Sequence, residues 1–429
     1  MKYSISENTG YTLATIEQPT SKTVVAYISA DLHDERTAKS RAIELLYTDS
    51  LLSGAGKYSR EQFLDAINSL GATVSASISD GVLTIFIRSK ADVFSKILKL
   101  VETMLKEPHF SATEQKRIKQ TVINAIKESK EDSRAIAHEQ LRNAFYGIHD
   151  RRYTHDEDTI IKTIATVTPK DLQKLHKHAL GLRWTCSIAG NKTSIATFQK
   201  TLSTTNKVTK SGPSEFGIHQ QKPPQPGHVV KDIPSRQNID FSIGAPIPIT
   251  LHHPDFLPLM FGLTVLAKWG GFSGRLMSTV REEEGLTYMI YGRTESFMNE
   301  EQGYWRIVTF FSPKDAVKGL TSTFREIKKI HNDGITKEEL TKFKQILHTS
   351  HVLKNDSTQS LLGELHAYHL QKFSLAEIEE HKKRLLSVTI EEVNAVLKRY
   401  LDVKTLTISA AGPLQTVKKD LQAFVKTVS

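Results

Sequence analysis

Apolar and polar residues along this chain follow two periods, and they do so in the same order twice. In the first half, Tyr11–Glu17 and Thr23–Ala30 read as strands, the second built on the run Val24, Val25, Ala26. Residues 35–53 place Ala42, Leu45, Leu46 and Asp49 at helical spacing. Ser59–Leu70 predicts a second helix, with Ser59 able to cap its N-terminus and Gly71 able to stop it. Thr73–Ser79 and Val82–Arg88 alternate around Asp80-Gly81, which predicts a hairpin. Helices are expected over Ala91–Leu105, from Ala112 to about Glu131, over Arg134–Phe145 and over Pro169–His178. Trp184–Ala189 then reads as a strand that ends at Gly190.

The second half repeats the plan at a nearly constant interval. Val167-Thr168-Pro169-Lys170-Asp171-Leu172 leading to Ile188-Ala189-Gly190 is matched by Val388-Thr389-Ile390-Glu391-Glu392-Val393 leading to Ala410-Ala411-Gly412. Lys119-Gln120 corresponds to Lys344-Gln345, and Gly81 to Gly303. Between the halves, Ser203–Pro234 is rich in Thr, Lys, Gln and Pro, including Pro223-Pro224-Gln225-Pro226-Gly227, the composition of an extended linker. The expectation is an α+β fold of two homologous domains related by internal duplication. They cover 1–203 and 229–429, joined by a linker at 204–228. Each is an antiparallel-rich sheet covered by helices, on one face.

Composition narrows the function classes. The chain of 429 residues has 39% hydrophobic and 24% charged residues, a globular balance. No stretch approaches the roughly 20 apolar residues of a membrane span, and residues 1–17 have neither a signal peptide's nor a transit peptide's pattern. A cytoplasmic location is expected. The single cysteine, Cys186, excludes an internal disulfide and a thiolate zinc cluster. The formal charge of +10 allows an anionic partner. No nucleic-acid motif accompanies it, and the cluster Lys116, Arg117, Lys119 lacks interleaved aromatics. A surplus of surface lysine, or attraction to acidic substrates or an acidic partner subunit, fits as well. No nucleic-acid or membrane partner is expected.

The runs Leu51-Leu52-Ser53-Gly54-Ala55-Gly56-Lys57-Tyr58-Ser59, Phe63-Leu64-Asp65-Ala66-Ile67, Leu70-Gly71-Ala72 and Ser75-Ala76-Ser77 resemble the first domain of the insulinase/pitrilysin peptidase family. In that family an inverted motif H-x-x-E-H precedes the glycine. Its two histidines hold zinc and its glutamate polarises the attacking water. Placed on Gly54, the resemblance puts Leu45 and Asp49 at the histidine positions and Thr48 at the base. The later glutamate ligand falls at about Ala125, within Val122-Ile123-Asn124-Ala125-Ile126. Leucine and alanine cannot coordinate zinc, and one carboxylate makes a poor site for it. His33, Glu44 and Asp49 are the nearby substitutes, but Glu44 and Asp49 do not stack on one helical face. His176 with His178, and His252 with His253, lack metal spacing. No metal is expected in this chain.

A second segment retains the family pattern S-x-R-L … R-E-x-x-G-L-A-Y. It runs Ser273-Gly274-Arg275-Leu276, then Val280-Arg281-Glu282-Glu283-Glu284-Gly285-Leu286-Thr287-Tyr288, with Thr287 in place of alanine. The resemblance implies that Arg281 and Tyr288 face the zinc site, where a guanidinium and a phenol can stabilise the oxyanion of peptide hydrolysis. Such a donor contributes on the order of 3 kcal/mol. Without the resemblance, Arg281 also suits a surface arginine held by Glu282–Glu284, and Tyr288 a core residue of an alternating strand. Gly285 suits a helix-to-strand turn and Gly270-Gly271 a tight loop.

Some family members divide the zinc motif and the Arg/Tyr pair between two chains. The expectation is therefore a subunit that is inactive alone and completes a zinc metallopeptidase with a homologous H-x-x-E-H partner. Zinc would sit in that partner, and the substrates would be peptides or unfolded segments, added as a strand to a sheet edge such as the hairpin Thr73–Arg88. The alternative is an inert structural or peptide-binding scaffold subunit.

Overall fold

A computed structural model describes residues 2–32, 37–206, 227–268, 273–298, 301–354 and 357–428. His33, Gly270-Gly271 and the linker centre Pro223-Pro224-Gln225-Pro226 lie outside the described residues.

In chain order the first half contributes β1 (Lys2–Asn8), β2 (Tyr11–Glu17), β3 (Thr23–Asp31), α1 (Ala38–Leu51), α2 (Arg60–Asn68), β4 (Thr73–Ser79) and β5 (Val82–Lys90). There follow α3 (Phe94–Lys106), α4 (Ala112–Ser129), α5 (Ser133–Phe145), α6 (Glu157–Thr166), α7 (Pro169–Gly181), β6 (Trp184–Gly190) and α8 (Lys192–Thr205). The second half contributes β7 (Gly227–Asp232), β8 (Ile239–Pro246), α9 (Phe256–Leu266), β9 (Ile290–Glu295) and β10 (Tyr304–Phe311). It ends with α10 (Ala316–Asp333), α11 (Lys337–Lys354), α12 (Thr358–Leu370), α13 (Leu375–Ser387), α14 (Ile390–Tyr400), β11 (Thr407–Gly412) and α15 (Lys418–Val428).

Local chemistry explains many of these boundaries. Ser59 caps α2 reciprocally with Gln62, and Thr168 caps α7 with Asp171. Thr389 caps α14 with Glu392 in the same way, the repeat counterpart of Thr168. Asp80 and Gly81 both take positive φ, which a two-residue turn between β4 and β5 requires.

The duplication is visible strand by strand. One sheet runs β1-β2-β6-β3-β5-β4 and the other β7-β11-β8-β10-β9. In each, one parallel pair, β2 with β6 or β7 with β11, is followed by antiparallel neighbours. Among the described residues, β1 alone has no counterpart. Its residues are exposed or half-buried, none fully buried, and mostly polar, so the strand carries little apolar signal.

The two compact units are not contiguous halves. One comprises Met1–Lys127, His155–Gly217 and His351–Glu379, and the other Glu128–Thr154, Ile218–Ser350 and Glu380–Ser429. This differs from the contiguous division at 1–203 and 229–429, because one helix of each half packs on the other half's sheet. Helix α5 lies on β8 and β11, and α12 lies on β6 and β3. Each sheet is thereby covered on a second face as well. That is why β3 reads as a nearly unbroken apolar run instead of an alternating one. On one face Val24, Ala26 and Ile28 enter the first core; on the other, Tyr27 and Ser29 meet His366 of α12.

Candidate functional site

Helix α1 carries Leu45, Thr48 and Asp49, the residues that the resemblance sets at the zinc motif, and its buried side chains serve packing. Tyr47 is fully buried, and its hydroxyl lies 2.8 Å from His176 Nδ1. His176 Nε2 donates to the Leu105 carbonyl at 2.9 Å, so in the neutral ring Nδ1 accepts from Tyr47. Leu45 is half-buried against the same core, Thr48 is half-buried and Asp49 exposed. Ala125 lies on the exposed side of α4. Glu44 is buried and paired with Arg41 at 3.3 Å. His178 bonds the Leu32 carbonyl, and His253 accepts from the Asp255 amide.

The donor set at Leu45, Thr48, Asp49 and Ala125 does not fit zinc, since two positions are hydrocarbon and the carboxylate stands alone. Among the described residues, no group of three or more His, Cys, Asp or Glu side chains could hold a metal ion. The glycine that anchors the motif is kept for its backbone. Gly54 has φ +104°, and a side chain there would press on His109 and the Tyr58 carbonyl.

The Arg281 segment is built differently. After α9 the chain enters a π-helix, Met277–Glu283, in which Met277 and Val280 are buried. Such a turn is rare and is frequent at functional sites. Leu286 N bonds the Val280 carbonyl, and Gly285, at φ +63°, reverses the chain in open space. Thr287 is buried and pins the next step. Its hydroxyl accepts from the Met289 amide at 3.2 Å and from Thr309 Oγ1 at 3.4 Å. Between these anchors Tyr288 is 70% exposed, which excludes the core reading of that residue. The Arg281 guanidinium stands 5.1 Å from the Tyr288 ring centroid, within cation–π range. Its contacts to Met277 Sδ and Glu282 Oε1 are each 3.9 Å.

The other arginine of the motif is structural. Arg275 holds both carboxylate oxygens of Glu339 at 2.6 Å and donates to the Gly334 carbonyl at 2.8 Å. Glu284 likewise serves the fold, bound to Arg325 at 2.6 Å and Ser322 at 2.7 Å instead of to Arg281. Gly285 behaves as read from sequence.

Sequence reasoning missed a buried polar cluster in the same unit. Glu295 Oε2 accepts from Tyr304 at 2.7 Å and from His138 Nε2 at 2.9 Å, and Oε1 accepts from Arg306 at 3.0 Å and from Arg293. Burial alone would raise the Glu295 pKa, but the His138 hydrogen bond and the Arg306 charge hold it well below the usual carboxylate range. The one signal in the sequence was charged residues inside apolar strand segments, Arg293 and Glu295 in β9 and Arg306 in β10, which names no partners.

Two family descriptions match the chain: "Insulinase (Peptidase family M16)" over residues 48–154 and "Peptidase M16 inactive domain" over residues 166–347. The chain is 23% identical over 372 residues to the "Uncharacterized zinc protease YmxG" of Bacillus subtilis, covering 84% of this chain and 86% of that protein. It is 26% identical over 168 residues to the "Non-peptidase homolog YmxG" of Helicobacter pylori, covering 39% of this chain and 38% of that protein. Mycobacterial zinc proteases are also matched over only 38% of their length. A crystal structure of a peptidase M16 inactive domain from Pseudomonas fluorescens shares the fold, with TM-score 0.85 and 22% identity over 96% of this chain and 98% of that one. With both family descriptions placed in chain order and both sheets built on one plan, the chain belongs to the insulinase family, and its sequence contains no H-x-x-E-H motif.

Proposed function

We propose that this chain is the non-zinc subunit of a two-chain metallopeptidase. It presents Arg281 and Tyr288 to a partner chain that carries H-x-x-E-H and the zinc. The supporting observation is the arrangement of the pair: Tyr288 is exposed between Thr287 and Met289, which a side-chain hydrogen bond ties together, with Arg281 at its ring. A residue kept only for packing would not be held outward in this way. With a peptide bound at the partner's site, whose zinc would supply Lewis-acid chemistry, Arg281 and Tyr288 would donate to the negative charge that develops on the scissile carbonyl oxygen.

The substrate is an extended peptide or unfolded segment. Among the described residues, strand β4 ends its sheet and lies beside α1, and its outer backbone edge suits strand addition. No described helix is long and apolar enough to cross a membrane. A cytoplasmic location suits the reading.

The test is reconstitution. The purified chain should show no peptidase activity and no stoichiometric zinc, and adding an H-x-x-E-H partner should create activity. Arg281→Ala or Tyr288→Phe should then lower turnover more than about tenfold, the scale of one lost oxyanion donor or less. Full turnover in the double variant overturns the proposal. The inert-scaffold reading is favoured by the "inactive domain" and "Non-peptidase homolog" descriptions of its relatives. It predicts stable assembly with a partner and no dependence on either residue.

A further inference from the structure

Trp305, Ile307 and Phe311 of β10 enter the core of their unit, and Thr309, at the same alternate spacing, shares their face. It is fully buried. The first sheet shows what the fold itself asks for at this place. Thr309 lies opposite Phe241 of β8, which lies opposite Ala410 of β11. In the first sheet Ile87 lies opposite Ala26 of β3, which lies opposite Ile188 of β6, the repeat counterpart of Ala410. Ile87 is therefore the counterpart of Thr309, and it is a fully buried hydrocarbon. Packing does not call for a hydroxyl here, and burying one costs free energy unless it is hydrogen-bonded. We propose that Thr309 is a positioning residue for Tyr288, holding the phenol outward beside Arg281 through the peptide that follows it.

The hydrogen bonds carry this. Pairing of β9 with β10 starts at Ile290, opposite Thr309, so Met289 stands just outside the ladder. Thr309 Oγ1 donates to the Met289 carbonyl at 2.9 Å. The Thr287 hydroxyl reaches the same carbonyl at 3.1 Å and accepts from the Met289 amide at 3.2 Å. Both backbone polar groups of Met289 are thus held by buried threonines, one of them anchored in the sheet. Tyr288, 70% exposed, has little packing of its own to set its direction. Its Cα–Cβ bond points where the backbone on either side directs it, and that backbone is fixed by Thr287 before it and by the Met289 peptide after it. With the loop so fixed, the ring stands 5.1 Å from the Arg281 guanidinium. Thr287 adjoins Tyr288 within the loop, whereas Thr309 belongs to the neighbouring strand and carries the rigidity of the sheet to the phenol.

The inference deepens the reading of Tyr288 as an oxyanion donor and rests on it for the work of the phenol. Thr309→Val keeps the shape and removes the hydroxyl; Thr309→Ser keeps the hydroxyl. Circular dichroism checks folding, and Thr309→Ala serves for the same readouts where Thr309→Val does not fold. In the full chain alone, Thr309→Val should speed amide exchange at Met289 about tenfold and move the Tyr288 ring NMR signals toward those of a free tyrosine. Thr309→Ser should leave both as they are. In the reconstituted pair, Thr309→Val should lower kcat about tenfold with KM within about twofold, since a misplaced donor weakens the transition state more than the ground state. The effect should vanish in a Tyr288→Phe background, where no phenol hydroxyl remains to be placed. If Tyr288→Phe alone leaves turnover unchanged, the oxyanion reading falls, and the signals of the chain alone still decide what Thr309 holds. Equal losses in both backgrounds mean a merely structural threonine and overturn the proposal. Unchanged Met289 exchange and Tyr288 signals in Thr309→Val overturn it as well.

Discussion

His366 stacks on Tyr27 with ring centroids 4.7 Å apart and planes 10° from parallel. Its Nε2 meets Ser29 Oγ at 2.9 Å and its Nδ1 meets Ser187 Oγ at 2.9 Å. One turn on, His369 Nδ1 lies 3.5 Å from the same Ser187 hydroxyl. Two imidazoles thus clamp α12 to its sheet through neutral hydroxyls.

That clamp is acid-labile. Burial, then the neighbouring His369, pushes the His366 pKa down to about 3; burial likewise pushes His369 down to about 4. The unfolded chain, near 6.5, binds more protons than the folded one below that pH, so stability rises with pH there. Stability should therefore be fully present above about pH 6.5 and fall as pH drops toward the folded values, at up to about 1.4 kcal/mol per pH unit for each histidine. Urea midpoints measured between those limits check this. His366→Gln should flatten the slope, and an unchanged slope refutes the assignment.

The two arginines of the retained motif should separate cleanly. Arg275→Ala leaves Glu339 half-buried without its bidentate partner and should cost about 3 kcal/mol. Arg281→Ala should cost less than Arg275→Ala, no more than about 1 kcal/mol, as expected where the guanidinium is more exposed and its ion pair with Glu282 is long, at 3.9 Å. Equilibrium denaturation of both variants makes the comparison. Equal losses would place Arg281 in the fold instead of in a site.

Removing the Tyr47 hydroxyl tests what α1 now does. Tyr47→Phe leaves His176 Nδ1 without that donor inside the core and should cost about 1–3 kcal/mol. Denaturation gives the cost, and the NMR shifts of the His176 ring should report the lost hydrogen bond. A neutral substitution would mean that the helix is not held through this pair.

Thr287→Ala restores the residue usual in the family pattern and removes the hydroxyl that accepts from the Met289 amide and the Thr309 hydroxyl. The expected stability loss is about 1 kcal/mol. Faster amide exchange at Met289 should accompany it, which hydrogen exchange reads directly. Unchanged exchange would show that Gly285 and Leu286 alone fix the loop.

Much of the architecture was legible because it depends on local rules. Asp80-Gly81, Ser59, Thr168 and Thr389 each meet a backbone requirement within a few residues. The repeat of those signals revealed the duplication. Helices α6 and α8 and strand β1 escaped the reading, β1 because an edge strand with half-buried polar residues shows no apolar alternation. At the candidate site, the family resemblance named Arg281 and Tyr288, but spacing said neither that Tyr288 faces outward nor that Arg275 is the structural arginine.

The residue order alone determined the two sheets, the hairpin at Asp80-Gly81, the capped helices and the side chains Leu45, Thr48, Asp49 and Ala125 that stand where the resemblance places a zinc motif. Only the tertiary structure decided that α5 and α12 each cross to the other half's sheet, and that His138, Glu295 and Arg306 converge. The reason is physical: an amphipathic face records that it will be buried, not what will bury it. A charged side chain, too, carries no sign of which distant partner repays its loss of water.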